Sequence, residues 1–173
     1  LSWRPKNEAL LREIQSENSK LSLKFQRFAK NYLRCVHGID ENLKRIEEKI
    51  TDLNSSKVIF IYTSNKGRML GEHSWFGSKW IYEESIRIPL IISSNFTQSS
   101  NKIIPQLTQN IDIAPTILEY ANLENLENSQ GESLHCLLGN DDDNKTWRDS
   151  IYYHHHKFPG EHMIAKHYGI RTK

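Results

Sequence analysis

Apolar residues recur every three or four positions between Leu21 and Leu53, and charged residues such as those of "ENLKRIEEK" fall mostly between them. This spacing places the apolar side chains on one face of a helix and most charges on the opposite face. The pattern predicts one long amphipathic helix, or two abutting helices with a break at Gly38.

Short continuous apolar runs predict strands that are buried on both faces, as in a parallel sheet. The first run is "KVIFIYT" (57–63), and the second is "IRIPLIIS" (86–93), in which Pro89 favours an edge or strand-start position. Near the end of the chain, "SIYYHHHKF" (150–158) and "HMIAKHYGIRTK" (162–173) are also strand-like.

A further helix is predicted for "NIDIAPTILEYANL" (110–123), with Asp112 as a candidate N-cap and Pro115 in the first turn. Helices that alternate with buried strands indicate the α/β class. In such sheets ligands bind at the carboxyl ends of the strands. The polar stretch after Tyr62 is therefore the candidate site.

The net charge and the length of the apolar runs limit which kinds of binding partner the chain suits. The 173 residues have a formal net charge of +2, which gives no strong electrostatic case for nucleic acid or a membrane surface. No apolar run approaches the roughly 20 residues that a membrane span needs, and this chain shows no signal peptide. Cys35 and Cys136 lie far apart, and we expect two thiols rather than a disulfide.

Four blocks, in the same order, resemble the sulfatases of the alkaline-phosphatase-like superfamily. They are "FQRFAKNYLRCVHGIDENLKRI" (25–46), "VIFIYTSNKGRMLGEHSWFGSKWIYEESIRIPLII" (58–92), "TQNIDIAPTILEYANLENLENSQGESLHCLLG" (108–139) and "WRDSIYYHHHKFPGEHMIAKHYGIRTK" (147–173). The resemblance covers about residues 22–173. It implies an α/β alkaline-phosphatase-like sheet with flanking helices, present here in part, and the start of a small C-terminal subdomain.

The resemblance also divides the chain. Residues 1–21 become an exposed lead-in, residues 22–140 the C-terminal part of the sulfatase core domain, and residues 141–173 the start of the C-terminal subdomain. A secreted, periplasmic or lysosomal location is implied by the family.

Sulfatases hydrolyse sulfate esters, often on sulfated carbohydrates, with a formylglycine nucleophile beside a calcium ion. The C/S-x-P-S-R motif that yields the nucleophile is absent here, because Val-His-Gly follows Cys35 and Leu-Leu-Gly follows Cys136. The early paired aspartates of the family are absent as well. We therefore expect a C-terminal fragment of a sulfatase that is inactive by itself.

The resemblance places metal ligands in the turn Ser64-Asn65-Lys66-Gly67, where relatives have "SDHG" or "SDNG". Asn65 keeps an oxygen but lacks a negative charge, and protonated Lys66 cannot be a ligand and would repel a cation. Calcium binding by this chain is accordingly doubtful. Lys66 either replaces the cation or marks a site that has drifted out of use.

The sulfate-binding lysine of the family aligns with Ser78, one place before Lys79. On an extended segment a shift of one residue turns the side chain to the other face. In a loop, Lys79 can still reach an anion, and it is the candidate catalytic residue.

Three histidines are candidate substrate ligands: His73 in the "GEH" block, and His162 and His167 in the terminal block. Each has a structural alternative, as does Trp80, which either packs or stacks on a sugar. Gly67 and Gly71 are interpreted as turn residues that need positive φ. Alternate residues of a strand face opposite ways, so the three consecutive histidines at 154–156 cannot converge on one ion.

The predicted function is sulfuric ester hydrolysis on a sulfated carbohydrate. The alternative is a catalytically inactive sulfatase-like protein or a glycan-binding remnant, which the changes at Asn65, Lys66 and Ser78 favour. A phosphatase or phosphodiesterase of the same superfamily is disfavoured by the sulfatase-type "GEH…YEES…RIPL" block.

Overall fold

The computed structural model describes residues 17–52, 56–96, 102–139, 146–159 and 164–173. Its helices are α1 (Glu17–Thr51), α2 (Glu83–Ile86), α3 (Ile113–Tyr120) and α4 (His135–Leu138). Its strands are β1 (Ile59–Thr63), β2 (Met69–Leu70), β3 (Phe76–Gly77), β4 (Leu90–Ser94), β5 (Ser150–His155) and β6 (His167–Thr172). The described chain thus combines helices and strands, as predicted.

The described strands form three two-stranded sheets: β1 with β4, β2 with β3, and β5 with β6. The last two pairs are antiparallel. Pro89 lies directly before β4, in agreement with the predicted strand-start position. The prediction that "KVIFIYT" is buried on both faces was wrong for the described chain, because every residue of β1 is only half-buried.

The pattern between Leu21 and Leu53 corresponds to the single helix α1 of 35 residues. Gly38 does not break it. A glycine inside a helix costs only about 1 kcal/mol relative to alanine, which the surrounding helical turns offset. No helix in the described part of the chain has the length and apolar character needed to cross a bilayer.

The chain forms two compact units, the first of residues 1–59 and 69–77. Within it, the ring of Phe28 on α1 meets the ring of Phe76 on β3 edge-on, with centroids 5.3 Å apart. Met69 on β2 is fully buried. The first unit is therefore held by the contact of α1 with the β2–β3 hairpin. Other apolar residues of α1 lie exposed, among them Leu21, Leu33, Val36 and Ile39.

The second unit contains residues 60–68 and 78–173. Its centre is the carboxylate of Asp112, which is completely buried. Arg148 donates two hydrogen bonds to the two oxygens of this carboxylate, at 2.6 and 2.7 Å. The backbone N–H groups of Gln109 and Glu132 donate two more, at 2.7 and 2.9 Å.

Asp112 occupies the N-cap position of α3, as predicted, but its side chain makes no capping hydrogen bond to that helix. The carboxylate instead binds Arg148 and the N–H groups of Gln109 and Glu132, and its bond from Gln109 is part of a capping box on the one-turn 3-10 helix Asn110–Asp112. The hydrogen bonds to Asp112 are the largest cause of a raised pKa of Arg148. A charge this deeply buried is stable only when it is paired and fully hydrogen-bonded.

Neutral hydrogen bonds extend the same centre. The Thr116 hydroxyl donates to the backbone carbonyl of Asp112 at 2.6 Å and accepts from the backbone N–H of Leu134 at 2.9 Å. The Trp147 indole N–H donates to the carbonyl of Leu107 at 2.7 Å. Three sequence-distant segments are therefore joined around one carboxylate.

The substitution Asp112→Asn should lower the free energy of unfolding by about 3–5 kcal/mol, because it leaves the Arg148 guanidinium without its buried counter-charge. Urea denaturation measures the change. The control is Glu119→Gln, which removes a half-exposed carboxylate that lies 3.4 Å from the His135 imidazole. That loss should stay within about 1 kcal/mol, and equal effects of the two substitutions would contradict the central role of Asp112.

Candidate functional site

The turn that follows β1 contains the predicted metal position. The Ser64 hydroxyl donates to the backbone carbonyl of Lys66 at 2.9 Å, and the Asn110 amide donates to the carbonyl of Ser64 at 3.4 Å. These bonds close the turn and leave the side chains of Asn65 and Lys66 exposed. The turn therefore presents an amide and an ammonium at the end of a strand.

Gly67 anchors this turn to α2. Its N–H donates to the carbonyl of Ser85 at 2.9 Å. A Cβ at this position would lie 2.9 Å from the carbonyl oxygen of Arg87 and still closer to that of Glu84. Gly67 is thus required for close approach of two backbones, and the prediction that it needs positive φ was wrong. Gly71, with φ of 131°, does have the predicted conformation.

The turn does not fit a calcium site by itself. Calcium requires several hard oxygen ligands, mostly carboxylates, and Asn65 offers one neutral oxygen beside the positive charge of Lys66. The described residues contain no group of three or more histidine, cysteine or acidic side chains that could hold a metal ion. Carboxylate ligands for calcium would have to come from outside the described residues.

Lys79 lies in an irregular segment between β3 and α2, and its side chain is half-buried. Residues 78–82 are not a strand. The side chains of Ser78 and Lys79 are therefore not required to face opposite ways. The Tyr153 hydroxyl donates to the backbone carbonyl of Lys79 at 3.2 Å. A side chain on β5 therefore holds the backbone of the candidate catalytic lysine.

Four aromatic rings fasten the same segment to the β5–β6 hairpin. The His167 ring stacks with that of Trp80 at a centroid distance of 5.3 Å, with that of Tyr153 at 5.7 Å and with that of His155 at 5.3 Å. Stacked rings of this kind add about 0.5–1.5 kcal/mol beyond their buried area. Trp80 thus packs against His167, which agrees with the prediction that it packs and not with the alternative that it stacks on a sugar.

His167 is constrained at one nitrogen and unsatisfied at the other. Its Nδ1 lies 2.8 Å from the carbonyl oxygen of Ala165, which can only accept, so Nδ1 is the protonated nitrogen. Its Nε2 is buried and has no hydrogen-bond partner among the described residues. His167 therefore holds a buried ring nitrogen that has no partner among the described residues.

Two further contacts join the hairpin to Ile81 and to the "YEES" block that follows it. Gly169 on β6 faces the Ile81 side chain so closely that a Cβ would collide with it. Arg171 donates to the Glu83 carboxylate of α2 at 3.0 Å. The roles of Tyr153, Glu83 and Gly169 were not predicted from the sequence. The alternation of residues along β5 was the signal for Tyr153, because it shares a face with His155.

His73 belongs to the first unit, and it has backbone angles φ 53° and ψ 23°. The next residue, Ser74, also has positive φ, at 60°. Left-handed angles in residues other than glycine are uncommon and often mark functional turns. The Glu72 carboxylate accepts a hydrogen bond from the N–H of Leu70, which stabilises the turn that carries His73. His162 lies outside the described residues.

Hydrogen bonds from backbone N–H groups lower the pKa of Glu72 below its ordinary value of 4.5. A lowered folded-state pKa means that the ionised carboxylate stabilises the fold above pH 4.5, and that this stability is lost as the pH falls through the folded-state value. The difference in melting temperature between wild type and Glu72→Gln should therefore be present at neutral pH and shrink on acidification. A difference that does not change with pH would contradict this role.

In the second unit, the structure brings the Lys79 segment and His167 together through Trp80, and it joins the Asn65 turn to α2 through Gly67. The two predicted positions are thus supported by one set of elements: the turn, α2 and the β5–β6 hairpin.

A family model described as "N-sulphoglucosamine sulphohydrolase, C-terminal" matches residues 71–173. A protein of Bacteroides thetaiotaomicron named N-acetylglucosamine-6-O-sulfatase is 39% identical over 88% of this chain and 28% of its own length. A protein of Clostridium perfringens named arylsulfatase is 29% identical over 82% of this chain and 29% of its own length.

A solved structure matches 95% of this chain and 34% of its own chain, with a TM-score of 0.80 and 36% identity. It is described as a complex with its substrate, D-glucosamine-2-N,6-O-disulfate. This chain thus spans about a third or less of the length of each of these three proteins.

Proposed function

Because this chain belongs to the sulfatase family, matching the model of the C-terminal region of N-sulphoglucosamine sulphohydrolase, we propose that it works in the hydrolysis of a sulfate ester on a glucosamine-containing carbohydrate. The observation that supports this most is the match, at a TM-score of 0.80 and 36% identity, to a structure described with a sulfated glucosamine as substrate. The relative named for the 6-O-sulfate position supports that position in particular.

The alternative of an inactive, glycan-binding remnant is not favoured by these comparisons, since the relatives are named as sulfatases. We propose that the described elements pack as part of an alkaline-phosphatase-like α/β fold with the division at residues 22–140 and 141–173. We also propose a secreted, periplasmic or lysosomal location, which the sulfatase family implies. The nucleophile, and carboxylates for a calcium ion, would be supplied from outside the described residues.

The proposed role of Lys79 is to stabilise negative charge on the sulfate group. Cleavage of the ester bond shifts negative charge onto the sulfate and leaving-group oxygens, and a positive group fixed beside them lowers the barrier. The Tyr153 hydroxyl binds the backbone carbonyl of Lys79, and the stacking of Trp80 on His167 holds the next residue. Such preorganisation is what makes a single charge effective, because no reorganisation is needed when the charge develops.

Asn65 is proposed as a neutral member of the polar group at the end of β1. Its exposed amide can donate to or accept from a sulfate or sugar oxygen. His162 and His167 are proposed to contact the sugar, and His73, in the first unit, is proposed separately as a residue that can bind a sugar hydroxyl. For His167 the support is the buried Nε2, which has no partner among the described residues and which a sugar hydroxyl would satisfy after a small movement of the neighbouring rings.

In the protein expressed from its whole gene, Lys79→Met should lower kcat for glucosamine 6-sulfate by about 10²–10³-fold. Other enzymes lose about this much when one donor that stabilises developing negative charge is removed. The control is Lys49→Met, which removes an ammonium that is 84% exposed on α1. Released sulfate is measured by ion chromatography. Unchanged kcat in Lys79→Met would refute the catalytic role, and no turnover of any sulfated glucosamine by the wild type would refute the proposed function.

A second experiment separates sugar contact from catalysis. His167→Gln should raise KM for glucosamine 6-sulfate by about tenfold, the value of one lost hydrogen bond. It should leave kcat/KM for an aryl sulfate, which has no sugar, unchanged. Equal losses on both substrates would show that His167 acts only through packing of the Lys79 segment.

A further inference from the structure

The first part of α1 carries a concentration of positive charge that the proposed function does not use. Between Glu17 and Asp40 the chain contains five lysines and arginines and no aspartate or glutamate. Because the whole chain has a formal net charge of only +2, the rest of it is negative. The positive charge is therefore gathered on one stretch of one helix.

Helical geometry places these cations on one side of α1. Lys24, Arg27, Lys30 and Arg34 follow one another at steps of three, three and four residues. At 3.6 residues per turn they lie within about 120° of the helix surface, along about 15 Å of its axis. Arg27, Lys30 and Arg34 are exposed, and Lys24 is half-buried. We call these four residues the basic stripe.

The packing of the first unit does not use the basic stripe. The ring of Phe28 contacts that of Phe76 on β3, and the ring of Phe25 lies beside Gly71. Both phenylalanines are roughly 100° or more around the helix from the middle of the basic stripe. The charged side chains are thus turned away from the β2–β3 hairpin and toward solvent.

The charges of the basic stripe are not compensated within the described residues, where none of the four cations forms an ion pair. Arg34 donates one hydrogen bond, to the neutral amide of Asn31 at 3.1 Å. Further along the same helix, by contrast, Lys49 lies 3.5 Å from Asp52. Like charges three or four positions apart destabilise a helix, and an anion with several charges would remove this repulsion.

We propose that the basic stripe binds a chain of sulfated, glucosamine-containing carbohydrate. This inference rests on the proposed function, which identifies the anion as a sulfated sugar. A row of cations about 15 Å long exceeds one monosaccharide, so its ligand has sulfate groups on several sugars. Two of the four cations are arginines, whose planar fork can donate two parallel hydrogen bonds to the oxygens of one anion.

The test is the affinity of the protein, expressed from its whole gene, for a heparin octasaccharide, measured by isothermal titration. The triple variant Arg27→Gln, Lys30→Gln, Arg34→Gln should bind it about 10–100-fold more weakly, the combined effect of three exposed ion pairs near the upper end of their usual strength. Glutamine keeps a similar helix propensity, so the melting temperature should stay close to that of the wild type.

The matched control is the triple variant Lys44→Gln, Arg45→Gln, Lys49→Gln. It removes the same charge from the same helix, but from a stretch in which acidic residues alternate with the cations. Its affinity for the octasaccharide should stay close to that of the wild type. An equal loss in both triple variants would show a general effect of net charge, and it would overturn the proposal, as would unchanged affinity in the first variant.

Kinetics separate this inference from the proposed function. Loss of the basic stripe should raise KM for release of sulfate from the octasaccharide, and it should leave kcat and KM for glucosamine 6-sulfate unchanged. An equal change on both substrates would overturn the role of the basic stripe. Absence of turnover in the wild type would instead refute the proposed function, because the affinity measurement needs no turnover.

A measurement on the wild type keeps the test independent of variant folding. The octasaccharide should protect Lys24 and Lys30 from acetylation by acetic anhydride, measured by mass spectrometry, and should leave Lys44 and Lys49 reactive. Equal protection of all four lysines, or of none, would overturn the proposal. A DNA duplex and phosphatidylserine vesicles at the same concentration of negative charge should protect less. Equal or stronger protection by either would overturn the assignment to carbohydrate.

Discussion

The second unit depends on one buried ion pair. Asp112 has no contact with water, and it accepts four hydrogen bonds from groups that are 3, 20 and 36 positions away along the chain. A buried carboxylate is tolerated only with such complete satisfaction. Because Arg148 lies two positions before the start of β5, the pair also fixes where the hairpin begins relative to α3. The position of the hairpin, and with it Tyr153 and His167, follows from this constraint.

The hairpin in turn organises the candidate site. Its inward face contacts the Lys79 segment through a hydroxyl, stacked rings and the close approach of Gly169 to the Ile81 side chain. Arg171 also binds the Glu83 carboxylate of α2. α2 also receives the Asn65 turn through Gly67. The candidate functional side chains are thus exposed or half-buried, while the residues that hold their segments in place are packed. This is the division of labour expected of a rigid binding site.

The helices α1 and α3 could be predicted from the helical spacing of their apolar residues. The strands β1, β4, β5 and β6 could be predicted from short runs rich in apolar and aromatic residues. The sequence did not allow the role of Asp112 to be predicted. An aspartate before a helix is normally a cap, and its partner Arg148 is 36 positions away, so no local pattern links them. Gly67 was misinterpreted for a similar reason: the backbone it approaches belongs to α2, and only the three-dimensional contact shows why a side chain cannot fit. Strand alternation could not predict where the Lys79 side chain lies, because residues 78–82 form an irregular segment and not a strand.

The alternation along β5 has a consequence for how this region can vary. One face of the strand holds the Lys79 segment and the other presents the exposed side chains of Tyr152 and His154, and neighbouring residues belong to different faces. A one-residue insertion or deletion here would exchange the two faces at once, so that Tyr153 and His155 would point outward. Residues 150–156 should therefore accept changes of residue type, one face independently of the other, but no change of length.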